Sequence, residues 1–248
     1  MREYRTVADW DSFFDEWYLR TYAPLQRPED AEEMALGAAR AAGVEPSARV
    51  LDAPCGFGRH SIALARAGYS VAGAERSPVL LGEARKRAGD VGVEFVQADY
   101  RELPFPDDEF DAVFNLFTSL GYLGRAGDTD ALREFRRVLT PGGKLVVETM
   151  HRDRLVRIYQ PRGWDELPDD GFLLQERSYD PVASTVSTTM TLVSPNEELS
   201  RVSYEIVLYS ATELVGMARE AGFEDVACYG GFDGEELTSD RRLVLVGS

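Results

Sequence analysis

Two glycines and one acid are the residues of this sequence best placed to do chemistry. Gly56 and Gly58 lie in a short loop, after an apolar stretch that ends at Asp52 and before a helical pattern. Glycine has no Cβ, so a ligand can approach the backbone of this loop closely. The free N–H groups at the start of the following helix suit a carboxylate or a phosphate. The loop is therefore predicted to bind one end of a ligand.

Polar residues also end the strands predicted after this loop. Glu75, Asp99 and Asn115 each follow an apolar stretch, and helical patterns recur between the stretches. Strands that alternate with helices form a parallel sheet with helices on both faces. Ligands of such sheets bind beyond the carboxyl ends of the strands, so we expect these side chains to meet Asp52 there. The predicted strands are residues 50–51, 69–75, 93–99, 110–115 and 144–149.

Two classes of cofactor use a glycine loop after a first strand. A dinucleotide is typical of the pattern G-x-G-x-x-G, but Ser61 stands where the third glycine would be. The other class is S-adenosylmethionine. An acid at the end of the second strand, here Glu75, can bind the ribose hydroxyls of either cofactor. The loop by itself leaves both classes open, as well as an ordinary strand-to-helix turn.

The spacing around the loop carries a resemblance to a known family. Two apolar residues, Asp52, three further residues, Gly56 and Gly58 together resemble motif I of the class I S-adenosylmethionine-dependent methyltransferases. Pro54 stands where that family usually has a glycine. Because proline lacks an N–H and fixes its φ angle, we expect a stiffer loop with one donor fewer.

Further landmarks of this family follow in the same order. Residues 96–100 resemble the segment whose Asp takes the adenine amino group, and residues 110–113 and 141–143 match two more motifs. The resemblance covers about residues 50–150. It implies an α/β fold: a Rossmann-like, seven-stranded, mostly parallel sheet with helices on both faces, completed by an antiparallel hairpin at the C-terminal end.

The resemblance also implies roles for individual residues. The backbone of the glycine loop would hold the methionine moiety, Asp52 its amino end, Glu75 the ribose, and Asp99 the adenine. Tyr22, in an aromatic helical segment, is expected either to touch the cofactor from a flap or to pack in the core. The expected cofactor-binding residues are Tyr22, Asp52, Ala53, Gly56, Gly58, Glu75, Arg76, Asp99, Tyr100, Asn115 and Leu116.

Tyr122 and His151 are the candidate catalytic residues. Family members that methylate amino sugars carry a histidine near the place of Tyr122, so the resemblance implies that Tyr122 orients or deprotonates the acceptor. His151 follows the fifth strand, and a histidine titrates near neutral pH. The alternatives are a tyrosine packed under a lid and a structural histidine.

The chain is predicted to have three parts. Residues 1–150 comprise a helical flap, over residues 1–45, and the cofactor-binding core; residues 151–209 form an inserted antiparallel β lid; and residues 210–248 complete the core sheet. In the lid, alternating apolar and polar residues predict strands with one covered face. The lid is expected to shape an acceptor pocket, the alternatives being a homodimer interface or structural padding. Its predicted strands are residues 172–178, 185–193 and 202–209.

The composition of the chain limits the kinds of partner that it can bind. A formal net charge of −16 argues against nucleic acid or an anionic membrane surface as a partner, because both bind to positively charged protein surfaces. The two cysteines, Cys55 and Cys228, are far apart in sequence and indicate a reducing compartment, so a cytoplasmic location is expected. With two histidines and no Cys/His cluster, no metal site is predicted.

The predicted function is methyl transfer from S-adenosylmethionine to a small-molecule acceptor by in-line displacement, without metal. The sulfonium already activates the methyl group, so the protein has to align the acceptor and exclude water. Two alternatives remain open at this stage. One is an NAD(P)-dependent oxidoreductase that uses the same loop, and the other is a cofactor-binding protein without catalytic activity.

Overall fold

The computed structural model describes residues 6–7, 13–168, 171–195 and 199–248. The strands are β1 (Thr6–Val7), β2 (Arg49–Asp52), β3 (Ser70–Glu75), β4 (Val93–Gln97), β5 (Phe110–Asn115), β6 (Leu139–Thr149), β7 (Arg162–Glu166), β8 (Phe172–Asp180), β9 (Thr185–Val193), β10 (Leu199–Val207), β11 (Val226–Tyr229) and β12 (Leu243–Gly247). The helices are α1 (Glu16–Thr21), α2 (Pro28–Ala42), α3 (Arg59–Arg66), α4 (Pro78–Ala88), α5 (Gly124–Val138), α6 (Arg152–Ile158) and α7 (Ala211–Glu220), with a 3₁₀ turn at Ala23–Leu25.

The main sheet has seven strands in the order β11-β12-β6-β5-β2-β3-β4. The five strands from β2 to β6 run parallel, and β12 and β11 form an antiparallel hairpin beside β6. The predicted Rossmann-like sheet is therefore confirmed. The strand order reverses between β2 and β5, which places the glycine loop after β2 at the position where such sheets bind ligands.

Both faces of the main sheet are buried. Val50 and Leu51, neighbours on β2, point to opposite faces, and each is fully buried. Val50 packs in a cluster with α2 and α3, and Leu51 packs in a cluster with α5 and α7. A strand that is covered on both faces has no polar side to alternate with, which explains its continuous apolar run.

Helix caps that can be read from the sequence are present. Ser77 is the N-cap of α4 and accepts a hydrogen bond from the N–H of Leu80, with Pro78 in the first turn. Ser210 and Glu213 form a capping box at the start of α7. These bonds satisfy N–H groups that have no partner inside the helix.

A second, five-stranded sheet has the order β1-β10-β9-β8-β7. Strands β7 to β10 are inserted between β6 and α7 and pair antiparallel, as predicted for an inserted β lid. We call this sheet the lid. On β9, Val186, Met190 and Leu192 are buried on the face predicted to be covered.

One prediction about this part of the chain is wrong, and two elements were not predicted. Residues 6–7 were expected to be helical but form β1, which pairs in parallel with β10. Strand β7 and helix α6 were not predicted. Three of the five residues of β7 are charged, at positions 162, 165 and 166, so this strand lacks an apolar face. Trp10, part of the predicted aromatic stripe, lies outside the described residues.

Candidate active site

A cavity of about 740 Å³ lies between the carboxyl ends of the main-sheet strands and the inner face of the lid. We call its two sides the main-sheet wall and the lid wall. Among the residues of the main-sheet wall are Gly56, Glu75, Arg76, Asp99, Tyr100 and Leu116. Among the residues of the lid wall, counting the aromatic side chains near α1 and after β5, are Phe14, Tyr22, Tyr122, Arg177, Thr188 and Tyr204.

The glycine loop needs glycine at two positions for two different reasons. Gly56 and Gly58 have φ angles of 55° and 82°, in the left-handed region. A Cβ on Gly58 would lie 2.9 Å from the Cβ of Ala84, so glycine lets the loop pack against α4. A Cβ on Gly56 would have no atom within 4 Å, so that side of the loop has room for a ligand.

Asp52 and Asn115 lie buried behind this loop and do not line the cavity. Ser61 Oγ donates to Asp52 Oδ2 at 2.5 Å, and Asn115 Nδ2 donates to the carbonyl of Ala53 at 2.8 Å. The second carboxylate oxygen of Asp52 and the amide oxygen of Asn115, both named Oδ1, have no hydrogen-bond partner among the described residues. Two unsatisfied buried acceptors beside a glycine loop fit the ammonium end of an amino-acid moiety.

Burial also changes the ionisation of Asp52. Loss of water around the carboxyl group raises its pKa to about 7, although the hydrogen bond from Ser61 and the charge of Arg59 act in the opposite direction. Asp52 therefore changes charge near neutral pH. Ala53 and Gly58, which were also expected to bind the cofactor, do not line the cavity either. The carbonyl of Ala53 accepts the hydrogen bond from Asn115.

Glu75 is held at the end of β3 with its carboxylate on the main-sheet wall. Its Oε2 accepts from the N–H of Gly56 at 3.0 Å, and its Oε1 accepts from the N–H of Ser77 at 2.7 Å. Burial raises its pKa from the usual value, against these backbone hydrogen bonds. Each oxygen keeps a lone pair, so the fixed carboxylate can accept two hydroxyl groups.

Asp99 is oriented by an arginine that sequence reasoning did not single out. Arg101 donates from Nε and Nη2 to the two carboxylate oxygens, at 3.0 and 2.7 Å, and from its backbone N–H at 2.9 Å. These bonds keep the pKa of Asp99 below its usual value. Arg76 Nη1 lies 4.0 Å from Asp99 Oδ2, also on the cavity wall. The Tyr100 side chain turns to the core and stacks on Phe135, with ring centroids 6.0 Å apart.

Tyr122 lies on the lid wall within an aromatic cluster. Its ring centroid is 5.1 Å from that of Phe14 and 5.7 Å from that of Tyr204. Burial raises the pKa of Tyr122 well above its usual value, so the hydroxyl is neutral at physiological pH. Tyr22 also lies on this wall, and its contact with the cofactor stays a prediction.

His151 does not line the cavity. It is buried at the N-terminus of α6, and its Nε2 is 3.8 Å from Asp153 Oδ2. Burial lowers its pKa, which favours the neutral imidazole. The adjacent Met150 does reach the cavity wall.

Three arginines of the cavity were not predicted. Arg59 stacks on the ring of Phe117, with its guanidinium carbon 4.1 Å from the ring centroid. Arg242 pairs with buried Glu148 and also donates to Thr118. Arg177 projects from β8. An acid such as Glu148 inside an apolar strand is a signal in the sequence that a buried partner must exist.

Within the described part of the chain, no three His, Cys, Asp or Glu side chains gather closely enough to hold a metal ion. None of the helices in those ranges is long and apolar enough to cross a lipid bilayer. The cytoplasmic location and the three-part domain boundaries stay predictions.

Comparisons with known proteins agree with this geometry. Residues 50–143 match the family described as Methyltransferase domain. Over 200 residues, the chain is 33% identical to the ubiquinone/menaquinone biosynthesis C-methyltransferase of Vibrio vulnificus, a match that covers 75% of this chain and 68% of that protein. Over 100 residues, it is 45% identical to the demethylmenaquinone methyltransferase of Clavibacter sepedonicus. That match covers 40% of each protein, so it spans less than half of this relative.

The fold and the lid recur in a solved structure. The CcbJ methyltransferase from Streptomyces caelestis superposes with a TM-score of 0.80 at 28% sequence identity. The superposition covers 94% of this chain and 95% of that chain, so it includes the inserted sheet as well as the core.

Proposed function

This chain belongs to the class I S-adenosylmethionine-dependent methyltransferases, and we propose that it transfers a methyl group to a small-molecule acceptor. The observation that carries the proposal is one cavity with two unlike walls. The main-sheet wall presents a glycine loop and fixed carboxylates, which suit an amino-acid moiety and an adenosine. The lid wall is mainly aromatic and apolar, which suits a separate molecule.

The main-sheet wall would hold S-adenosylmethionine, whose sulfonium supplies an activated methyl group. Glu75 accepts the ribose hydroxyls with the lone pairs left free by its backbone bonds. Asp99, held ionised by Arg101, accepts the adenine amino group. Asp52 and Asn115 satisfy their free oxygens with the amino end, directly or through water. Leu116 borders the methionyl arm.

The lid wall would orient the acceptor and exclude water. Alignment of two reactants in this way is worth roughly 7–11 kcal/mol of an activation barrier. Tyr122, neutral because it is buried, orients the acceptor through its hydroxyl and does not act as a base at neutral pH. His151 lies off the cavity wall, so the proposal gives it no proton-transfer role. The reaction needs no metal, because the leaving group is already activated.

A small molecule fits this site better than a polymer does. The lid closes over the carboxyl ends of the main-sheet strands, and the chain carries a formal charge of −16, which repels nucleic acid. Two of the relatives are named for quinone methylation. Quinone precursors are therefore the first acceptors to test, followed by amino sugars. A reducing, cytoplasmic setting is supported by two cysteines that are both unpaired, Cys55 and Cys228.

Calorimetric titration with S-adenosylhomocysteine and with NADH tests the proposal. We expect S-adenosylhomocysteine to bind and NADH not to bind. Glu75→Ala should weaken binding at least tenfold. Glu94→Ala is the matched control, because Glu94 lies on the neighbouring strand with its side chain 51% exposed. Tight binding of NADH, or no binding of S-adenosylhomocysteine, would overturn the proposal.

Turnover separates an enzyme from a non-catalytic binding protein. Protein with methyl-labelled S-adenosylmethionine is incubated with demethylated quinols and with amino sugars, and labelled product is measured by mass spectrometry. We expect label in one acceptor class. Binding of the cofactor without any turnover across these acceptors would favour a non-catalytic role.

The outer face of the lid would be the interface of a homodimer. Trp164 pairs with Leu174 across β7 and β8, and its ring centroid is 5.8 Å from that of Phe172. All three side chains are exposed, with Trp164 at 63%. Light scattering should give a dimer for the wild type and a monomer for Trp164→Ser. Val182→Ser, in an exposed turn, is the control and should stay dimeric. A monomeric wild type at high micromolar concentration would contradict this assembly.

A further inference from the structure

The inner face of the lid carries a row of polar side chains that crosses three strands. Arg177 on β8 is opposite Thr188 on β9, and Thr188 is opposite Tyr204 on β10. All three residues line the cavity. The positions on either side of this row on β9 and β10 are apolar and buried: Val186, Met190, Val202 and Ile206. The row therefore places hydrogen-bond donors between apolar positions of the lid.

Among the described residues, no carboxylate forms an ion pair with the guanidinium of Arg177. Within the described residues it makes no hydrogen bond or ion pair, whereas Arg49, Arg137 and Arg242 each pair with a carboxylate. Asp165 lies on β7, the strand beside Arg177, but its Oδ2 accepts a hydrogen bond from Gln175 Nε2 at 2.6 Å. A partly buried cation without a partner costs free energy, so its presence needs a reason.

The backbone of Arg177 is held in place on both sides. Its N–H donates to the carbonyl of Pro161 at 2.8 Å, and the Tyr159 hydroxyl donates to its carbonyl at 2.8 Å. Two further guanidiniums, from Arg59 and Arg242, line the same cavity. Arg242 is already paired with Glu148, so Arg177 is the cation that the lid itself contributes to this cavity.

The hydroxyl groups of the row complete the donor set. Thr188 and Tyr204 lie opposite each other on β9 and β10, and burial keeps Tyr204 protonated by raising its pKa. Each hydroxyl has one O–H that can be donated to a ligand. The planar guanidinium fork adds two donors spaced for two oxygens of one anion.

We propose that Arg177, Thr188 and Tyr204 bind an anionic group, a carboxylate or a phosphate, carried by the acceptor molecule. The inference rests on the proposed function and narrows its substrate class to anionic small molecules. The anion would anchor the acceptor on the lid wall, while the nucleophile of the acceptor faces the methyl donor on the main-sheet wall.

The test uses three aromatic probes of similar shape on protein saturated with S-adenosylhomocysteine. Benzoate, phenyl phosphate and the neutral benzyl alcohol are titrated by calorimetry. We expect at least one anion to bind at least tenfold more tightly than benzyl alcohol. Preference for benzoate would identify a carboxylate subsite, and preference for phenyl phosphate a phosphate subsite.

Matched variants test whether the anion binds at this row of side chains. Arg177→Gln should weaken anion binding at least tenfold, and Thr188→Val should weaken it severalfold without changing side-chain size. Arg162→Gln is the control: its side chain is 83% exposed and lies near Glu176. Binding of S-adenosylhomocysteine should be equal in all variants, which also shows that they fold.

Two results would overturn the inference. One is wild-type protein that binds neither anion more tightly than benzyl alcohol. The other is Arg177→Gln that binds the anions as tightly as the wild type does. Failure of wild-type protein to bind S-adenosylhomocysteine would instead count against the proposed function, so the two failures are distinguishable.

Discussion

Ser61 donates a hydrogen bond to Asp52 behind the glycine loop, with 2.5 Å between Oγ and Oδ2. Both side chains are fully buried, so Ser61 supplies a polar contact that solvent cannot. Burial nevertheless raises the pKa of Asp52 to about 7. Its second oxygen has no partner among the described residues. We therefore expect the carboxyl group to gain its charge in the physiological range and, under the proposed function, to attract the ammonium group of the cofactor.

The affinity for S-adenosylhomocysteine should increase as pH increases. The pKa of Asp52 is raised, so the group is mostly protonated at pH 6 and mostly ionised at pH 8. If the ionised form binds the ammonium, affinity should rise by about tenfold across this range, as for one group with a pKa near 7. Calorimetric titration at pH 6, 7 and 8 measures this affinity. Asp52→Asn should remove the dependence, and a flat profile for the wild type would contradict the role.

Asp99→Ala should weaken S-adenosylhomocysteine binding by about ten- to a hundredfold. The change removes an ionised acceptor for the adenine amino group, and such a hydrogen bond is worth about 1.5–3 kcal/mol. Arg101 also loses its bidentate partner, so the loop after β4 becomes less rigid. Glu102→Ala, an exposed acid nearby, serves as control and should bind like the wild type. Equal affinity for both variants would refute the adenine role.

The sequence predicted the main-sheet wall better than the lid wall. Glu75 and Asp99 could be placed because strand ends and glycine spacing follow from local rules, and both lie on the cavity wall. Asp52 and Asn115 were expected in the same group but lie behind the loop. That difference depends on how far each strand extends before it turns, which the spacing of residues does not specify.

The lid wall depends on strand register and could not be predicted in the same way. Arg177, Thr188 and Tyr204 are separated by 11 and 16 residues, and only the pairing of β8, β9 and β10 brings them together. A shift of one residue in the register would turn Arg177 to the solvent. Arg242 likewise reaches Glu148 from the far end of the chain, through the antiparallel pairing of β12 with β6.

Tyr122→Phe should reduce turnover about tenfold and leave S-adenosylhomocysteine affinity unchanged. The variant keeps the ring contacts with Phe14 and Tyr204 and loses the hydroxyl that would orient the acceptor. A lost hydrogen bond of about 1.4 kcal/mol corresponds to that factor. Kinetics with the acceptor found by the label screen provide the measurement. Tyr69→Phe, whose hydroxyl bonds the carbonyl of Val44, is the control, and equal turnover for both would leave Tyr122 a packing residue.

Arg242→Met should destabilise the fold by about 3 kcal/mol. Glu148 is only 2% exposed, and it would lose the cation that compensates its buried charge. Urea unfolding, monitored by circular dichroism, gives the free energy of unfolding. Arg27→Met is the comparison, because its ion pair with Asp30 is exposed and should contribute little. Equal midpoints for Arg242→Met and the wild type would show that the buried pair is not needed.

The inserted lid leaves the core and returns to it at nearly the same point. The N–H of Arg152, just after β6, donates to the carbonyl of Tyr209, just before α7, at 3.1 Å. Arg152 also pairs with Glu213 of α7, at 2.9 Å. Since these contacts hold the entry and the exit of the segment together, we expect that the segment can be exchanged for that of a relative without disturbing the main sheet. Differences in acceptor among related enzymes would then be concentrated between Arg152 and Tyr209. Chimaeric enzymes would be joined at these two positions.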